Sequence, residues 1–150
     1  MEIKITGLER LQKIASQFPE VSEAHINSAI LRSLVRIWEK EKQEAPVDTG
    51  NLRDRWKLDM KRFQGSLSSQ MPYALAIENG SRPHFVAIEK IRPWAEKRGL
   101  NPWAIAKTIA KKGTRPNPFF KRTLEGAQEG VDIEFTKALS DIMKELSNIT

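Results

Sequence analysis

Few side chains in this sequence belong to the types that carry chemistry. Its 150 residues include no cysteine, which excludes disulfides, thiolate metal sites and cysteine nucleophiles. The histidines are His25 and His84. His25 lies among apolar positions of a helical pattern, where a lone histidine reads as a packed or partly exposed residue rather than a catalyst. His84 follows Arg82 and Pro83 in a loop. It could meet a partner, but no second histidine or carboxylate stands at ligand spacing, so no metal site is expected. Hydrolysis needs a nucleophile with its base, or a metal with its ligands, and neither constellation is written here. Glu78 and Glu89 make a carboxylate pair only in the sense that any two acids do. There is no glycine-rich phosphate loop and no G-x-S-x-G. The expectation is a protein that is not an enzyme and carries no cofactor.

A basic segment is the remaining candidate for binding chemistry. Between Lys90 and Arg122 there are ten lysines and arginines against one acid, Glu96, a net +9 in a chain whose total is +6. After Arg122 six acids face two lysines, so the end of the chain is acidic. Two short helices, with Trp94 and Trp103 interleaved among the cations, could grip nucleic acid. Alternatively, the tryptophans pack these helices onto the body and the cations face solvent or an acidic neighbouring subunit. The second helix offers mainly lysines and alanines, which would touch phosphate without reading sequence.

The elements that position these groups follow from periodicity. The length fits one domain with a core of its own. With 39% apolar and 29% charged residues, the mixture is that of a globular protein. No apolar run is long enough to span a membrane, and no signal peptide is visible at the start. Ile3 and Ile5 alternate with polar residues as a short strand, and Leu8, Leu11, Ile14 and Ala15 recur at helical spacing. Pro19 to Glu44 predicts a long helix. One stripe on it comprises Val21, Ala24, Ser28, Leu31, Val35 and Trp38, and a second comprises Ile26, Ile30, Leu34 and Ile37. So wide an apolar face predicts contacts on two sides. Asp48 to Leu52 reads as a capped turn leading into a short helix through Asp54. Trp56, Leu58 and Met60 alternate as a strand, Gln64-Gly65 as its turn, and Ser66 to Met71 as the returning strand. Tyr73 to Asn79 is a short apolar element that Gly80 ends.

Residues 85–115 read as a two-helix insertion. Its first helix lies around Pro93 to Arg98; its second is capped by Asn101, opened by Pro102 and closed by Gly113. After Pro118 the apolar residues from Phe120 to Ile149 are spaced by threes and fours, the pattern of a long one-faced helix. Gly126 and Gly130 mark a place where it could break. The fold expected is α+β, a small antiparallel sheet packed against two long helices, with a short two-helix insertion.

Three segments carry a resemblance: Ala45-Pro46-Val47-Asp48-Thr49-Gly50-Asn51-Leu52-Arg53, then Tyr73 through His84 with Glu78 and Gly80, then Arg115-Pro116-Asn117-Pro118-Phe119-Phe120. In this order, with a long helix before and another after, the chain resembles the tail-component family of lambdoid and related siphophages. Its members are called tail-completion, neck or head–tail joining proteins. The resemblance implies a virion subunit made in the host cytoplasm, acting by assembly into a six-fold ring at the head-proximal end of the tail or in the neck. Neighbouring neck or tail proteins would be partners, and DNA would pass through the lumen unread. The motif residues set backbone geometry: Asp48 or Thr49 as a cap, Gly50 in a sharp turn, Pro116 and Pro118 stiffening the entry to the last helix, and Phe119 anchoring it. Arg82, His84, Lys107, Lys111, Lys112 and Arg115 are the candidate interface residues. The alternative is a non-specific nucleic-acid-binding protein that uses the basic 90–122 segment.

Overall fold

The structure, a computed structural model, describes residues 1–5, 16, 18–46 and 51–148, without the side chains of Asn51 and Arg53. The helix expected over Leu8 to Ala15, the end of the last stripe at Ile149, and the turn residues Asp48, Thr49 and Gly50 lie outside these. In chain order the elements are β1 (Glu2–Lys4), α1 (Pro19–Glu44), α2 (Asn51–Asp54), β2 (Trp56–Lys61), β3 (Gln64–Ser69), α3 (Ala74–Asn79), α4 (Ile88–Lys97), α5 (Pro102–Lys112) and α6 (Phe119–Ser147). The architecture is α+β, as the periodicities predict.

The sheet is antiparallel throughout, in the order β1-β3-β2. Its register sets Ile3, Leu67 and Leu58 side by side in one row. That row joins Trp56 in a core with Ile26, Ile30, Leu34 and Ile37 of α1 and Ala127 and Ile142 of α6. Helix α1 opens on Pro19 and stops where Ala45, with ψ 136°, turns extended ahead of Pro46. The sheet and α6 both cover α1 on the Ile26 to Ile37 side. The two contacts that so wide an apolar pattern predicts are present, one with the sheet and one with α6, but Leu31 and Val35 of the other stripe remain exposed. The reason lies on the flank that α1 shows to α6. Ser22, Ala29 and Ser33 are fully buried there, and these small residues let one arc of the helix accept both neighbours.

Glycines account for two further departures. The hairpin turns at Arg62 and Phe63 rather than at Gln64 and Gly65. Phe63 takes φ 55°, and its N–H donates to Asn27 Oδ1 at 2.9 Å. Gly65 is instead a buried strand residue beneath α1. A Cβ there would lie 2.6 Å from Ile30 Cγ2 and from Leu34 Cδ1, so the glycine serves close helix-on-sheet packing. Likewise α6 runs unbroken through Gly126 and Gly130, which give room to the crossing side chains of Lys40 and Arg36.

The insertion departs at one end. Helix α4 begins at Ile88, with Pro93 inside it rather than at its start. Both Pro93 and Glu89, whose carbonyl the proline leaves without its helical donor, are exposed, so water can serve that carbonyl. Helix α5 follows its punctuation. Asn101 Oδ1 accepts from Trp103 N at 2.9 Å and Ala104 N at 3.4 Å, Pro102 opens the first turn, and Gly113 closes the helix at φ 73°.

Candidate functional site

The three motif segments converge on one apolar junction. Ala45 and Leu52 from the first, Ala74 from the second and Phe119 from the third form a buried cluster, with Ile77 and Phe120 packed against it. Phe120 also stacks on Trp56, centroids 5.9 Å apart and planes at 2°. The Trp56 indole N–H donates to Leu52 O at 3.0 Å. This ties the short helix α2 to the first strand of the hairpin. Pro46 is half-buried beside Ala45, while Tyr73, Pro116 and Pro118 are exposed.

Glu78 is the polar keystone of the junction. Helix α6 begins after Pro118, which has no side chain able to cap it. The free N–H groups of its first turn instead meet a carboxylate from α3. Glu78 Oε2 accepts from Phe120 N at 2.8 Å and Oε1 from Lys121 N at 3.1 Å. A carboxylate at a helix N-terminus also answers the positive end of the helix dipole. Close by, Asn117 N donates to Ile77 O at 2.8 Å. Glu78 is therefore placed as a tertiary cap. Glu78→Ala should cost about 1–2 kcal/mol of stability, the usual range for losing an N-cap. Amide exchange at Phe120 and Lys121 should quicken selectively. Unchanged exchange at those two amides would contradict the capping role.

Beyond the junction, the chain leaves and re-enters the body through a narrow neck. Ser81 and Thr114 pair as an isolated antiparallel bridge, their hydroxyls 2.9 Å apart. Gly80 and Gly113 sit on either side of this bridge at φ 72° and 73°. A Cβ on Gly80 would lie 2.5 Å from Thr114 O, and one on Gly113 would lie 1.8 Å from Ser81 O. The two backbones pass closer than any side chain allows. His84 Nδ1 lies 2.8 Å from Arg82 O, folded back onto its own loop.

The neck carries the α4–α5 hairpin, whose helices pack chiefly on each other. Of its helical residues only Ala95 is buried. Arg82, His84, Lys107, Lys111, Lys112 and Arg115 are all exposed on the hairpin and its neck. The expectation that both tryptophans pack the hairpin onto the body fails at Trp103. Trp94 is half-buried under the guanidinium of Arg98, 4.7 Å from the ring centroid. Trp103 is 68% exposed and Phe85 is 87% exposed. They border an open cavity of about 570 Å³ that Ile88, Ala106, Lys107 and Ala110 also line. Sequence reasoning missed this site, although a signal was present. Helix α5 carries two apolar stripes, Ile105 with Ile109, and Trp103 with Ala106 and Ala110, and a hairpin of two helices can cover only one.

A second polar node ties the long helices together. Glu134 is buried on α6. It accepts from Arg32 Nε at 2.6 Å and from Arg36 Nε at 2.8 Å. The hydrogen bonds from Arg32 and then Arg36 hold its carboxyl below its usual value of 4.5, although burial alone would raise it. A carboxyl whose value falls on folding adds stability that is full above 4.5 and disappears as the pH drops through the lowered value. Glu134→Gln should therefore lower the neutral-pH melting temperature by about 6 °C, the equivalent of about 2 kcal/mol of charged hydrogen bonding. The gap to the parent protein should close on acidification below pH 4.5. A gap that is constant from pH 7 to pH 3 would contradict this. At the far end of the pair, His25 Nε2 lies 2.7 Å from Glu145 Oε2.

Among the described residues, no group of three or more acidic or histidine side chains is placed to hold a metal ion. No helix among them is long and apolar enough to cross a membrane. Comparison of the chain with known protein families, with curated proteins and with solved structures finds no match.

Proposed function

We propose that this chain is a structural virion subunit that completes the tail end, or joins tail to head, in a long-tailed bacteriophage, and that it works by ring assembly rather than catalysis. One observation carries the reading. The three segments that carry the phage resemblance supply the four buried members of a single junction, Ala45, Leu52, Ala74 and Phe119. Residues far apart in sequence thus meet in one packed junction, next in the chain to the Ser81–Thr114 neck that carries the basic two-helix hairpin. A rigid mount with a projecting surface suits assembly. Within a ring, each subunit would offer one face to its neighbour and receive another, a heterologous contact that closes on itself.

The test is electron microscopy of lysates from a phage carrying a nonsense mutation in this gene. Filled heads beside unjoined or overlong tails are the expected result, and tail length separates a terminator from a completion factor. Normal infectious particles would overturn the reading. The exposed lysines of α5 keep a second reading in view, sequence-independent binding of nucleic acid. It would require a gel shift that weakens steeply with salt.

A further inference from the structure

We propose that the open apolar cavity of the α4–α5 hairpin receives the outer face of α6 from a second copy of this chain. The inference rests on the ring reading above and adds to it which two surfaces meet.

The hairpin has an apolar face that it does not use. Phe85 and Trp103 are exposed as a pair of large aromatic groups beside Ile88, Ala106 and Ala110. Such a patch on a small projecting element is the usual mark of a protein contact, and aromatic anchors dominate the energy of such contacts. Cations of the hairpin are open as well. Lys107 lines the cavity together with one acid, Glu89, and Lys107, with Lys90 and Lys111 of the same hairpin, is exposed and makes no ion pair among the described residues. The occupant should therefore be an apolar helix face with acids beside it.

The outer face of α6 has that composition. Ile133 is 55% exposed, Leu139 39% and Met143 59%. Glu129 and Asp132 stand next to Ile133, exposed and likewise without an ion pair among the described residues. The opposite side of α6 is committed to α1 and the sheet through Ala127 and Ile142, so the outer face is free to dock. The hairpin surface carries Lys90, Lys107 and Lys111 against Glu89, and the outer face of α6 carries Glu129, Asp132 and Asp141 against Lys137 and Lys144, so the two surfaces are opposite in net charge. The two patches lie on different elements of one chain. Their contact is head-to-tail, the geometry that propagates around a ring, rather than the self-matching contact of a two-fold dimer.

The absence of native cysteine allows a direct test. Ala110→Cys and Met143→Cys are made in separate chains, mixed, and treated with a short bis-maleimide. Sedimentation velocity of the unsubstituted protein is measured in parallel. The expected result is a cross-linked heterodimer from the mixture, and a ladder of higher species from a chain carrying both substitutions. Adding Lys107→Glu and Lys111→Glu to the first chain should reduce the yield at least several-fold at low salt. Adding Glu129→Lys and Asp132→Lys to the second should restore it. A protein that sediments as an oligomer but gives no such cross-link would overturn the pairing and leave the ring standing. A protein that remains a monomer at high concentration and gives no cross-link would count against both.

Discussion

Gly113→Ala should destabilise the protein by about 3 kcal/mol or more, with the damage concentrated at the neck of the hairpin. Two separate effects add. The residue sits at φ 73° and ψ −160°, a region that residues with a Cβ essentially never enter, at about 1–3 kcal/mol of strain. The added Cβ would also fall 1.8 Å from the Ser81 carbonyl oxygen, a backbone atom that cannot rotate away as the end of a side chain would. Relief requires separating the Ser81–Thr114 bridge. Amide exchange should then rise across residues 81–116, while the paired long helices keep most of their protection. Gly99→Ala is the matched control. Gly99 also has positive φ, 66°, but nothing lies within 4 Å of its new Cβ, so only the conformational penalty of about 1–2 kcal/mol applies. Equal losses in the two variants would show that the close approach at the neck has no energetic weight.

That glycine illustrates which parts of the molecule could be read from the chain alone. Its place at the end of a helix was legible, because a periodic stripe stops there and glycine is the usual residue to stop it. The partner strand that requires it was not, because Ser81 lies 32 positions upstream and nothing local links the two. The same division runs through the fold. Helix α1, its Ile26 to Ile37 stripe and the alternation in β2 are local patterns, and all were recoverable. Gly65 looked like a turn residue for the same local reason, yet its role is set by Ile30 and Leu34 above it. Glu78 was visible as part of a motif, but its function as the cap of a helix 42 residues away depends entirely on tertiary placement. The exposed cavity beside Trp103 escaped because a tryptophan in an amphipathic helix usually points at the core. The sequence pattern places Ile105, Ile109 and Ala106 inward, whereas Ala106 lines the open cavity with Trp103.

Phe119→Ala should give the largest loss of any single truncation in the junction, about 3–5 kcal/mol for a fully enclosed aromatic side chain. Phe119 is 0% exposed, and its buried neighbours Ala45, Leu52 and Ala74 come from two separate stretches of chain. Two of these neighbours are alanines, whose side chains cannot reach inward to fill the space, so little of the cavity can collapse. The expected fall in melting temperature is about 10 °C for a chain of this size. Phe119→Leu should recover most of it, because it returns volume without polarity. The location of the damage is as informative as its size. Phe119 is the first residue of α6, and the next two supply the amides that Glu78 caps, so the cavity and the cap should fail together. Phe119→Ala should then make Glu78→Ala nearly silent in the double variant, a coupling that independent sites would not show. Strict additivity of the two losses would mean that the apolar junction and the polar cap are separate devices, and the α3–α6 contact could not then be the single mount from which the hairpin projects.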